Sequence, residues 1–188
     1  MKIIVLVVAY LCISCLGFSQ ANKINDASTK AIAKASTFPT TFLGHWKGEL
    51  QWMRAGKPSQ SFTMQLIIQP ADTLGKYTWQ IIYGDSAKDN RPYILKPIDT
   101  AMGHWVIDET DGILLDSYVF GNSIKGAFTI MNNTIIDSYT VGNNTMKVEF
   151  FTINLNKKNT SGKGTDEVPL VDSYEVKSVQ VGVLVKVN

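Results

Sequence analysis

From Phe42 onward the chain alternates apolar and polar residues with a period of two. Trp46, Gly48, Leu50 and Trp52 share one side of the first run, and His45, Lys47, Glu49 and Gln51 share the other. That alternation is the pattern of a strand with one buried face. Phe62-Met64-Leu66-Ile68 and Tyr77-Trp79-Ile81-Tyr83 repeat it, separated by the turn residues Gly56-Lys57-Pro58 and Asp72-Thr73-Leu74-Gly75. After a polar loop over 85–90, the pattern predicts strands at 93–98, 104–109, 113–120, 124–131, 134–141 and 146–153. A long last strand is expected at 174–187, broken near Ser178. Thr110-Asp111-Gly112, Gly121-Asn122-Ser123, Asn132-Asn133 and Gly142-Asn143-Asn144 separate them, and Gly and Asn tolerate the positive φ of tight hairpins. Turn signals roughly every 10 residues exclude βαβ units and predict an all-β fold. Consecutive hairpins favour a closed antiparallel up-and-down barrel of about 8–10 strands, which leaves no exposed edge. A β-sandwich is the alternative. The polar stretch 154–169 has no period and reads as a loop.

The segment ahead of the alternation differs in kind. Residues 21–41 are rich in Ala, Lys, Ser and Thr and read as a linker with one short helix over 29–35, capped by Ser28 and ended by Pro39. Residues 1–20 have the form of an export signal: Lys2, then an uncharged apolar core, then the small residues Gly17 and Ser19 before a cut near Gln20. The apolar core is shorter than the ~20 residues a bilayer span takes. The protein is therefore expected in the periplasm or outside the cell, with a lipoprotein anchored through Cys15 as the alternative. Cys12 and Cys15 are the only cysteines, so the exported domain, 42–188, would contain no thiol and no disulfide. The formal charge of +2 falls by one when Lys2 leaves, and no run of like charges points to nucleic acid or an anionic membrane.

Asp-Ser-Tyr occurs at Asp116–Tyr118, Asp137–Tyr139 and Asp172–Tyr174, each after an aliphatic pair. The first two copies are 21 residues apart, about two strands with their turns. On 113–120, Ile113, Leu115, Ser117 and Val119 form the smaller, more apolar face, which is expected inside. The aspartates and tyrosines of the repeat then form an outward stripe supporting cross-strand pairs. The rival reading puts them in a polar, aromatic-lined cavity.

Gly44-His45-Trp46-Lys47-Gly48-Glu49 opens the first strand and resembles the Gly-x-Trp start of the calycins, the lipocalin-like barrels. The resemblance implies that Trp46 plugs a closed end and that Gly44 lets the chain bend. In lipocalins an arginine of the last strand packs over that tryptophan; here the last strand offers Lys177 and Lys186. With Arg91-Pro92-Tyr93 and Gly103-His104-Trp105-Val106-Ile107-Asp108-Glu109, the stretch from Phe42 to about Val187 is similar to a group of small secreted lipocalin-like proteins of Gram-negative bacteria. That implies export and a barrel, and no catalytic residue. Ten-stranded haem-binding barrels related to the nitrobindins open similarly, but their axial histidine lies near the C-terminus, and none follows His104 here.

Little else carries chemistry. His45 and His104 are the only histidines, too few for a zinc site without cysteines. Gly84-Asp85-Ser86 superficially resembles a GDS-type esterase opening but lies on a loop, and no Gly-x-Ser-x-Gly elbow exists. No enzyme, metal or cofactor is expected. Arg91, braced by Pro92, either turns inward to a ligand carboxylate or to Asp116 or Asp137, or outward to Asp85 or Asp89. The reading that follows is a monomeric carrier of a small apolar or amphipathic ligand, its mouth lined by Trp52, Arg91, Tyr93 and His104. The competing reading is a non-catalytic interaction module with a filled barrel, docking a protein or glycan of the cell envelope.

Overall fold

A computed structural model describes residues 38–84 and 88–187. The expected export signal and the helix over 29–35 lie outside the described residues. Ten strands account for nearly everything else: β1 (Gly44–Met53), β2 (Gln60–Ile68), β3 (Tyr77–Tyr83), β4 (Asn90–Asp99), β5 (His104–Asp108), β6 (Leu114–Phe120), β7 (Ser123–Ile130), β8 (Asn133–Gly142), β9 (Thr145–Ser161) and β10 (Val171–Val187). A three-residue 3₁₀ turn, Thr40–Phe42, precedes them. Each strand pairs antiparallel with its sequence neighbours, and β1 pairs with β10, so the sheet closes into an up-and-down barrel. The sandwich alternative is excluded by that closure. No described helix is long and apolar enough to cross a membrane.

The alternation seen in the sequence is the alternation of inside and outside. Trp46, Leu50, Met64, Leu66, Trp79, Leu95, Met146, Val148 and Leu184 are all buried, and where two share a strand they are an even number of residues apart. The turns follow residue chemistry with two exceptions, one of them Thr110 at φ 69° in the turn after β5. Asn143 and Asn144 both take positive φ, 50° and 59°, as a two-residue hairpin loop of the primed type requires. At the β7–β8 turn it is Met131, not an asparagine, that takes φ 53°.

One end of the barrel is shut by aromatic packing. The Trp46 indole N–H donates to the Phe42 carbonyl at 2.8 Å, fixing the 3₁₀ turn under the barrel. Phe38 then packs edge-on against both Phe42 and Trp105, with ring centroids 4.9 and 5.0 Å apart. Lys186, directly opposite Trp46 in the β1–β10 register, holds its ammonium 5.3 Å from the Trp46 ring centroid. The contact is a cation–π contact between the first and last strands. Gly44 takes φ 138°, a backbone conformation that side-chain-bearing residues rarely adopt, and a Cβ there would also push the end of the Lys186 side chain aside.

Two sequence expectations are corrected. The stretch 154–169 is not one loop: β9 runs on to Ser161 and pairs with β10 from Val171, forming an arm whose residues are exposed throughout. Alternation fails there because neither face of the arm is buried. The break near Ser178 is a register shift between Val176 and Ser178, with a second between Tyr174 and Glu175.

The second correction concerns the repeat. Ser117 faces Gly126, which faces Asp137, and Tyr118 faces Lys125, which faces Ser138. The two-strand offset is therefore 20 residues, whereas the repeat offset is 21. Directly opposed residues share a face, so one residue of slip turns the second copy over. Asp116 and Tyr118 point outward as expected; Asp137 and Tyr139 point inward and are buried. The third copy lies on the exposed arm, where Asp172 pairs with Lys158 at 2.6 Å.

A candidate ligand chamber inside the open end

Opposite the aromatic plug, the barrel interior is not completely filled. A chamber of about 160 Å³ is lined by residues of every strand from β3 to β10. Its walls are aromatic and aliphatic: Trp79, Ile81 and Tyr83 from β3, Tyr93 from β4, Phe128 from β7, Ile135 and Tyr139 from β8, and Phe150 from β9. A wider recess of about 490 Å³ lies at the rim against Trp52, Phe62, Tyr83, Arg91 and Gln180. Tyr83, Arg91 and Gln180 belong to both spaces, so the recess is the entrance to the chamber. Ligand pockets commonly run to ~300–1,000 Å³, a range the inner chamber reaches only together with its entrance.

Asp137 is the polar group at the floor. Its side chain points inward from β8 and is 6 % exposed. Room for it comes from Gly126 on the facing strand, where a Cβ would sit 2.8 Å from the carboxylate Oδ1. The carboxyl makes no ion pair among the described residues. Burial pushes its pKa up to about 6, opposed only by a hydrogen bond from the Gly126 N–H. Burial likewise pushes the Tyr83 phenol up to about 12 and the Tyr139 phenol well above its ordinary value, with the Asp137 charge adding to both. The Trp79 indole N–H lies toward Tyr139, whose ring it meets edge-on at 5.0 Å, without a bond of full hydrogen-bonding geometry.

Arg91 sits at the rim and answers both sequence alternatives at once. Opposite the buried Ile81, it lies on the inward register and lines the chamber. Its guanidinium is nevertheless held by Asp89 through two bonds, Nε to Oδ1 at 2.8 Å and Nη2 to Oδ2 at 3.1 Å. It also lies 4.9 Å from the Tyr83 ring centroid. The bond to Asp89 raises its already high pKa further. Tyr93, one turn of alternation below, lies beside Glu109 and Arg91, and burial raises its phenol pKa. Trp52 stands in the entrance with the Arg54 guanidinium 4.1 Å above its ring. The Trp52 indole N–H and the Arg54 Nε have no hydrogen-bond partner there.

Trp52, Arg91 and Tyr93 are therefore brought together, and His104 is not. His104 opens β5 at the plugged end and points outward, stacked on Tyr118 at 4.7 Å and bonded to Asp116 at 2.6 Å. Consecutive antiparallel strands start at opposite ends, so residues opening β4 and β5 cannot meet. Gly44 and Trp46 lie at the plugged end, as described. Sequence reasoning weighed Asp137 as an inward partner of Arg91 and as a cavity residue but favoured the outward stripe, and it missed Glu109 and Gln180; the signal for the facing of Asp137 was the odd offset of the repeat. Among the described residues no three His, Cys, Asp or Glu side chains cluster as a metal site would require.

No protein-family profile matches the chain. No curated protein matches it in sequence. Among solved structures, it is similar to a protein with unknown function from the DUF3598 family of Nostoc punctiforme PCC 73102, with a TM-score of 0.58 at 10 % identity. The likeness covers 79 % of this chain and 48 % of that one, so this chain spans about half that protein's length. It is a likeness of fold alone.

Proposed function

We propose that the protein is an exported, monomeric, non-catalytic carrier of the calycin type, holding one small amphipathic molecule in the chamber at its open end. The observation that carries this reading is the unequal filling of the barrel. One half is packed by fully buried side chains, whereas the other encloses an aromatic-walled space with a buried, unpaired carboxyl at its floor. The Gly126 N–H is a single hydrogen bond to a buried carboxylate and replaces only part of its lost hydration, so a further partner supplied by a ligand is the economical account. The calycin part rests on Gly44, Trp46 and the Lys186 cation–π contact. Export rests on residues 1–20 alone.

Native mass spectrometry of the protein purified from its own host tests the carrier reading. The expected result is a mass exceeding that of the processed polypeptide by one small molecule. A bare polypeptide mass, together with no binding of any apolar probe, would sink it. The interaction-module reading is favoured by one observation, the exposed apolar side chains of the β9–β10 arm, Leu155, Leu170, Val171 and Val176. It predicts instead that a partner protein or glycan is retained, and that deleting the arm abolishes retention.

A further inference from the structure

We propose that the ligand is an organic ammonium, its cationic head seated deep in the chamber against Asp137 and its apolar tail lying in the entrance between Trp52 and Phe62. This rests on the carrier reading and specifies its chemistry.

The charge balance of the chamber points that way. Three ionisable groups other than phenols line it: Arg91, Glu109 and Asp137. Arg91 is already neutralised by its two bonds to Asp89, so the charges left without a counter-ion are negative. A carboxylated ligand, the partner first expected for Arg91, would have to displace Asp89 and then approach Asp137. An ammonium meets no such obstacle. The walls suit the same ion. Trp79, Tyr93 and Tyr139 line the same chamber as the carboxylate, and aromatic rings attract cations by their quadrupole, most strongly where water is excluded. The inner chamber of about 160 Å³ matches a compact head group better than a whole ligand, which leaves the tail to the larger entrance. Aromatic cages closed by a carboxylate recognise ammonium ions through these two terms together.

Binding would then need Asp137 ionised. The titratable groups that line the chamber with it are Tyr83 from β3, Arg91 and Tyr93 from β4, Glu109 after β5 and Tyr139 from β8; Gly126 and Phe150 lie opposite it on the neighbouring strands. The phenols stay neutral and Arg91 charged over the working range, so the pH dependence between 5 and 7 falls on Asp137, titrating about 6.

The test is a probe series of like shape and different charge, phenethylammonium, 2-phenylethanol and 3-phenylpropionate, followed by calorimetry on the full protein. At pH 7 the ammonium should bind at least tenfold more tightly than the alcohol, and the carboxylate most weakly. Asp137→Asn should abolish the preference for the ammonium over the alcohol. Should that variant fail to fold, the wild-type profile decides: ammonium affinity should fall about tenfold from pH 7 to pH 5, and alcohol affinity should stay level. Equal binding of ammonium and alcohol, or tightest binding by the carboxylate, overturns the ammonium assignment and leaves the carrier reading standing. Failure of all three probes to bind overturns both.

Discussion

Asp137 is a carboxyl held in an environment its side chain disfavours, buried and without a counter-ion among the described residues. Its carboxyl keeps a proton up to about pH 6 in the folded protein, whereas an unfolded aspartate releases it near 3.9. Between those values the native state binds more protons than the unfolded chain, so stability falls as pH rises through that window. The ionised form costs about 2–3 kcal/mol above pH 6. Asp137→Asn, which keeps an oxygen for the Gly126 N–H, should therefore raise stability at pH 7 by about that amount. It should also flatten the profile between pH 4 and 7 in urea unfolding; an unchanged profile would show that the carboxyl is solvated. Gly126→Ala should act in the opposite direction, because its Cβ would press on the carboxylate and lie 3.3 Å from the Asp116 carbonyl. A loss of about 1–3 kcal/mol is expected by the same assay. Gly126 carries no mark in the sequence, and the repeat favoured an outward Asp137. Arg91, Tyr93 and Trp52 were legible as a charged residue and aromatics at strand ends, but the facing of Asp137 depends on a hairpin register that differs from the repeat by one residue.

At the scale of elements, the strands were legible wherever one face is buried and illegible where neither is. β1 to β8 show a two-residue period because each has a side in the core. The arm made by the ends of β9 and β10 has none, so Asn154 to Ser161 looks like a polar loop although it is hydrogen-bonded strand. Its independence of the core makes a prediction. Replacing residues 155–174 by Asn-Gly would join Asn154 to Glu175, which already face one another, through a hairpin of the favoured two-residue type. The shortened protein should unfold within about 1 kcal/mol of the full one, since exposed substitutions seldom exceed that order. A large loss would show that the arm braces the barrel. His104 illustrates the complementary limit: residue type suggested a ligand contact, but strand direction carries it to the other end.

The whole molecule is a closed ring of strands packed solidly at one end and loosely at the other. Local opening should follow that gradient. Amide exchange should be slowest around Trp46, Leu66 and Leu184, fully buried beside the plug, and faster near Tyr93 and Phe128 at the chamber; uniform exchange would contradict the asymmetry. The four tryptophans divide along the same line. Trp46 and Trp105 belong to the plug, Trp52 stands in the entrance, and Trp79 is wholly shielded from solvent yet forms a wall of the chamber. The molecule thus carries two optical reporters of different reach. Iodide in solution can quench the emission of Trp52 and not that of Trp79, whereas a molecule lodged in the chamber touches Trp79 first, so occupancy can be read from the protein's own light without attaching a dye.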